Sequence, residues 1–145
     1  MKGSRRLSRE LALQGLYQWL VNRTETEEIL AQLADKDEFA KADRTYLETL
    51  LRGVIDNNDA LSEKVGNSID RPIGQLSPIE HALLLMAASE LMSQPDIPYR
   101  VVINEAVELA KSYGGTDGHK YVNGVLDKLA TELRPREIAS RTREA

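Results

Sequence analysis

Hydrophobic positions recur at helical spacing along almost the whole chain. Over residues 5–21, Ala12, Leu13, Leu16, Tyr17, Trp19 and Leu20 fall within one broad stripe, with Gln14 and Gln18 on the other side beside Leu7 and Leu11. Thr24 or Thr26 is placed to cap a short second helix whose apolar contacts are Ile29, Leu30 and Leu33. The charged run Asp35, Lys36, Asp37 and Glu38 reads as a loop. Asp43 then caps a third helix carrying Tyr46, Leu47, Leu50, Leu51 and Val54. Asn57, Asn58 and Asp59 punctuate the chain before a short helix with Leu61 and Val65, and Gly66 to Gly74, including Pro72, is the clearest internal break.

The second half opens on a strong local signal. Ser77-Pro78-Ile79-Glu80 puts a hydroxyl at the N-cap, proline at the first helical position and a carboxylate two residues on, which is a capping box. The helix it starts runs to about Met92 and is apolar on most sides, so it belongs at the centre of a core. Val101, Val102 and Ile103 are β-branched but sit inside a helix-period pattern with Ala106, Leu109 and Lys111, and the segment is read as helix. That helix ends at Gly114-Gly115, where a left-handed residue is expected. Asp117 is expected to cap a last helix carrying Val122, Val125, Leu126 and Leu129, stopped near Pro135. The pattern therefore predicts an all-α fold of about seven helices in one domain over residues 1–135. Its two packed helical halves span about 4–66 and 75–135, and 136–145 form a mobile charged tail.

Composition narrows the function. The 145 residues are 41% hydrophobic, enough for a core and against wholesale disorder. There is no cysteine, which removes disulfides, thiolate nucleophiles and Cys-type metal sites, and His81 and His119 are too few and too far apart for a metal motif. No cofactor is expected. No apolar run reaches the roughly 20 residues of a membrane span, and no apolar segment follows the basic N-terminus as in a secretory signal, so a cytoplasmic protein without a membrane partner is expected. The net charge of −4 argues by itself against a nucleic-acid binder. It averages over position, however: residues 1–14 carry +3, residues 134–145 carry +2, and the body between them carries −9. Eight of the acids lie in the stretch 24–48, which suits a solubilising surface or a contact for a basic partner.

Two constellations stand out chemically. Arg5, Arg6 and Arg9 lie within about a turn and a half at the start of the first helix, joined by Lys2, and each guanidinium can grip a phosphate or stack on a base. The alternative is a solvated, frayed end. The segment from Gly114 through Thr116 to Gly124 offers His119 and Lys120 as donors and Tyr121 as a stacking platform for an unpaired base. Its alternative is a cap, a loop and a core tyrosine. A catalytic reading fares poorly, since no G-x-S-x-G, Walker or G-x-G-x-x-G element is present, and the chain is not expected to be an enzyme.

The stretch from Arg5-Arg6-Leu7-Ser8-Arg9 to Gln18 resembles the arginine-rich opening of the NusB family of bacterial transcription antitermination factors. Ile97-Pro98-Tyr99-Arg100-Val101-Val102-Ile103-Asn104-Glu105-Ala106 to Lys111 is similar to that family's most characteristic block, and His119-Lys120-Tyr121-Val122-Asn123-Gly124 to Lys128 is similar to its later one. The resemblance covers about residues 3–135. It implies a NusB-like bundle, binding of the single-stranded boxA RNA element, partnership with the ribosomal protein NusE, and action on an elongating RNA polymerase complex. Carried over by position, it implies RNA contacts at Arg5, Arg6, Arg9, Gln14, Gln18, His119, Lys120, Tyr121 and Asn123, with Glu80 near the NusE contact and Asp117 linked to RNA or complex formation. Tyr121 stands where many relatives have phenylalanine, Gly118 where serine is frequent, and Ser8 where alanine is usual. Monomer and homodimer stay open. Two other readings also stay open: an accessory domain related to those fused to ribosomal RNA methyltransferases, and a purely structural helical interaction module.

Overall fold

The computed structural model describes residues 3–115 and 117–144, with the backbone alone at 142–144. Lys2 and Thr116, named above, lie outside the described residues. Among the described residues, eight α-helices follow in order: α1 (Arg5–Asn22), α2 (Thr26–Ala34), α3 (Arg44–Asp56), α4 (Asn58–Gly66), α5 (Pro78–Ser93), α6 (Tyr99–Tyr113), α7 (Gly118–Leu133) and α8 (Pro135–Glu144). Two short 3-10 turns, Asp37–Lys41 and Ile73–Gln75, interrupt the connections. The all-helical expectation holds. The described chain divides into two compact units after Asn58, earlier than the break expected between 66 and 75. Helix α4 therefore goes with the second unit, where Lys64 pairs with Glu132 of α7 at 3.2 Å.

In the first unit α1 packs on α2 and α3. The five apolar positions read into α3 are all buried, and Asp43 caps it by accepting the Tyr46 N–H at 3.1 Å. The α1 stripe differs from expectation. Leu11 is fully buried while Tyr17 is 39% exposed, because neighbours on more than one side shift the buried face toward Ser8, Leu11, Ala12, Gly15 and Leu16. Gly15 makes that packing possible: a Cβ there would lie 2.8 Å from Ile29 Cγ2 of α2. Neither Thr24 nor Thr26 caps α2; Glu25 holds the N-cap position with no side-chain bond. The charged run after Asp35 tightens into the first 3-10 turn rather than staying a loop.

In the second unit α5, α6 and α7 pack against one another, and α8 joins α7. Ser77 caps α5 as its spelling predicts, accepting the Glu80 N–H at 3.2 Å with Pro78 in the first turn. From Ala82 to Leu91 every residue of α5 is buried. Helix α6 ends at Gly114, as expected, but the glycine serves another purpose. Gly114 has φ −89°, which is not left-handed, but a Cβ there would lie 2.7 Å from the Ala110 carbonyl oxygen.

The expected mobile tail requires a correction over its described residues, 136–144. Pro135 starts α8 in place of a tail, and the charged residues that hid this helix are what dock it. Arg134, 9% exposed, donates to the carbonyls of Leu91 (2.8 Å), Ile97 (3.0 Å), Gln94 (2.9 Å) and Glu90 (3.4 Å), and to Glu137 Oε2 (2.6 Å). These five bonds match the five N–H donors of a guanidinium. The other Glu137 oxygen accepts the Tyr99 N–H at 3.0 Å and so caps α6, whose Pro98 has no capping side chain. Arg141 lies 5.7 Å from the Tyr99 ring centre. Arg134 is thus a structural charge.

Replacing Arg134 by alanine is expected to lower the unfolding free energy by about 3–5 kcal/mol, because it strands buried carbonyls and the Glu137 carboxylate. Arg134→Lys should recover only a minor part, since an ammonium cannot span four carbonyls and a carboxylate. Urea denaturation followed by circular dichroism checks this; a loss below about 1 kcal/mol would show that water replaces the guanidinium.

Candidate nucleic-acid interface

The first candidate region belongs to the first unit. Ser4 caps α1 by accepting the Leu7 N–H at 3.1 Å. The Ser4 N–H donates to Lys41 O at 2.8 Å, and the Asp43 N–H donates to Ser4 O at 3.2 Å, an isolated parallel bridge that ties the start of α1 to the start of α3. Ser8 reinforces the tie: its buried hydroxyl donates to Asp43 O at 2.6 Å. Two helix beginnings fastened side by side place Tyr46 beside the first turns of α1. The Arg5 guanidinium sits 4.5 Å from the Tyr46 ring centre and that of Arg9 sits 5.5 Å away.

The three arginines are therefore not equivalent. Arg5 and Arg6 are exposed, whereas Arg9 is 4% exposed beside the buried Tyr46. The Tyr46 ring attracts both guanidinium groups, each through its own cation–π contact, and so offsets part of their mutual repulsion. Gln14 and Gln18 continue α1 half-buried, and Gln18 Oε1 accepts from Asn22 Nδ2 at 2.9 Å.

The second region belongs to the second unit, at the start of α7. Asp117 occupies the N-cap position, but its carboxylate does not cap the helix; it lies 3.5 Å from Lys120 Nζ, with both side chains exposed. His119 is half-buried and Asn123 exposed. Tyr121 is half-buried, so it is neither a core residue nor a free platform. Its hydroxyl donates to Asp70 Oδ1 at 3.3 Å, and the Arg71 guanidinium stacks over its ring at 4.5 Å. Arg71 Nε donates to the same Asp70 oxygen at 3.0 Å. Ser68, Asp70, Lys120, Tyr121, Gly124, Val125 and Lys128 line a cleft of about 260 Å³. Residues 121, 124, 125 and 128 form one face of α7, as their spacing requires.

The electrostatics of this cluster are mutual. The hydrogen bond from Arg71 holds the Asp70 carboxyl below its ordinary pKa of 3.8, and Asp70 in turn raises the Arg71 guanidinium. Burial pushes the Tyr121 hydroxyl above its usual value, against the pull of Arg71. Glu80 is half-buried and near enough to act on both Arg71 and Tyr121. A Cβ on Gly118 would lie 3.7 Å from Glu80 Oε1, an ordinary contact, so a serine at that position fits.

Arg5, Arg6, Arg9, Gln14 and Gln18 are thus gathered on α1, and Lys120 and Tyr121 on the α7 cleft, with Glu80 beside Gly118. Sequence reasoning missed Tyr46, Asp70 and Arg71. Tyr46 reads as a core residue of α3, which it is; the two arginines on it sit 41 and 37 positions earlier. Asp70 and Arg71 lie in the break between α4 and α5, where no periodicity marks a face. An Asp-Arg pair inside an otherwise uncharged turn was the only available signal.

Comparison with known proteins places the chain by family and by fold. A family model described as "NusB family" matches residues 6–131. The chain is 59% identical over 140 residues to proteins named transcription antitermination protein NusB from Burkholderia mallei (strain SAVP1) and Burkholderia thailandensis, covering 97% of this chain and 97% of each relative. Among solved structures, T. maritima NusB superposes with a TM-score of 0.84 at 28% identity, covering 96% of this chain and 99% of that one. A chain from a crystal structure of antitermination factors NusB and NusE in complex with dsRNA matches at a TM-score of 0.78 and 21% identity, covering 88% of this chain and 96% of that one, a likeness of fold.

Asp70 has a depressed folded-state pKa, so its contribution is present above the unfolded value and is lost as pH falls through the folded one. The Asp70–Arg71–Tyr121 cluster should therefore loosen only below pH about 4. A carboxyl NMR titration should put the Asp70 midpoint below 3.8 in the parent chain and higher in Arg71→Ala. An unchanged midpoint in the variant would show that the two side chains are not paired in solution.

Proposed function

The chain belongs to the NusB family, and from that premise we propose that it is a non-enzymatic RNA-binding adaptor that supports transcription antitermination. It binds single-stranded boxA RNA together with NusE and acts on an elongating RNA polymerase complex in the cytoplasm. The observation that carries the reading is the exposed Arg5–Arg6 pair, held at the start of α1 by the Ser4–Asp43 tie and by Arg5 stacking on Tyr46.

Arg5 and Arg6 capture phosphates electrostatically, with an on-rate benefit that falls as salt rises. Gln14 and Gln18 extend the α1 contact as neutral hydrogen-bonding groups. Arg9 works from below the surface: buried beside Tyr46, it positions the ring that positions Arg5. At α7, Tyr121 supplies an aromatic ring that it shares with the Arg71 guanidinium, and His119, Lys120 and Asn123 supply donors for base edges and phosphates. Glu80 and Asp117 add negative charge at the start of α7, suited to a basic protein such as NusE, which completes the RNA surface. The acidic body keeps affinity for unrelated RNA low, which suits a factor that reads one short element among many transcripts.

In fluorescence anisotropy with boxA RNA, the Arg5→Ala/Arg6→Ala variant should bind roughly tenfold more weakly than the parent, with the log–log salt slope reduced by about 1.4 for two lost phosphate contacts on a single strand. Adding NusE should raise the affinity of both. Arg9→Ala should instead show a lower melting temperature with a smaller change in slope. Parental affinity and slope in the double variant would remove the α1 assignment.

A further inference from the structure

Resting on that reading, we propose that Arg71 is a further RNA-binding residue of the α7 cleft, presenting its terminal nitrogens to a phosphate while Asp70 holds its other edge. The geometry is particular. Arg71 Nε is engaged by Asp70 Oδ1, and the guanidinium lies over the Tyr121 ring. Among the described residues, its two terminal amino groups make no hydrogen bond, while its side chain is 44% exposed. A guanidinium held by a carboxylate on one edge and an aromatic face below is restrained in orientation. Its open fork is thus pre-organised for bidentate contact with a phosphate.

The surroundings fit a nucleotide strand. Lys120 and Lys128, both exposed, line the cleft with Tyr121 and offer charge to neighbouring phosphates. The outer face of the Arg71 guanidinium extends the Tyr121 stack, and planar guanidinium groups accept bases as aromatic rings do. Asp70 has two opposed effects. It orients Arg71 and Tyr121 together through one oxygen, and its charge repels any phosphate that approaches. A strand that lacks a well-placed phosphate meets mainly the repulsion, so the pair favours a strand of the right register over arbitrary RNA.

Three variants of the full chain separate these roles, using the same labelled boxA RNA and anisotropy across a salt series. Arg71→Ala should weaken binding roughly fivefold and lower the salt slope by about 0.7, one phosphate on a single strand. Arg71→Lys should keep the parental slope, because the charge remains, while losing about half of the affinity because the fork is gone. Asp70→Asn preserves the acceptor oxygen and removes the charge, and should bind severalfold more tightly, with a larger gain for a scrambled RNA than for boxA. Melting temperatures within a few degrees of the parent accompany all three, as expected for exposed side chains. Parental affinity in Arg71→Ala overturns the inference, as does a loss that leaves the slope unchanged and is not relieved by lysine, which would make Arg71 a support for Tyr121 alone. If the parent chain itself binds no boxA RNA, with or without NusE, the reading beneath fails and the inference fails with it.

Discussion

A helix buried on every side must still end, and its last carbonyls then need donors where water is scarce. That constraint governs the second unit. Helix α5 is buried from Ala82 to Leu91, and the chain turns at once into α6. Arg134 meets the requirement by donating four of its guanidinium N–H groups to the carbonyls of Glu90, Leu91, Gln94 and Ile97. Glu137 balances that charge and caps α6 with its second oxygen. One arginine and one glutamate, three residues apart, therefore close the end of one helix and open the next. The α5–α6–α7 packing that presents Tyr121 and its cleft stands on that closure.

The first unit uses the same economy at the opposite kind of helix end. Donors exposed at the starts of α1 and α3 are met by Ser4 and Asp43, and the two starts are joined through backbone and through the Ser8 hydroxyl. Ser8 is thus a buried, satisfied tie rather than a neutral position. Each candidate site follows a similar logic: a guanidinium is stacked on a tyrosine and so held in place before any ligand arrives. Arg5 lies on Tyr46, and Arg71 lies on Tyr121. Pre-organisation of this kind lowers the ordering entropy that a flexible basic end would lose on binding.

What could be read from the sequence follows from how far each signal reaches along the chain. The caps by Asp43 and Ser77 were legible because their bonds span three residues. The buried faces of α3 and α7 were legible because each helix packs mainly through one side. Helix α1 was misjudged because neighbours on several sides bury Leu11 and leave Tyr17 exposed. Helix α8 was hidden because its docking depends on Glu137 and Arg141, which read as solvated charge until Tyr99, some 40 positions earlier, is placed beside them. The same distance concealed the burial of Arg9 and the pairing of Arg71 with Tyr121. Charged residues in long-range contact are where pattern reasoning runs out, because their sequence neighbours carry no trace of their partners.

On the proposed function, RNA meets two prepared surfaces, the start of α1 and the α7 cleft. Titrating the 15N-labelled chain with boxA RNA and following backbone amide shifts tests it most directly. The largest changes should fall at residues 4–9, 70–71 and 119–124, and the acidic stretch 24–38 should stay unchanged. Changes concentrated on the acidic stretch, or on α6 with both surfaces silent, would contradict it.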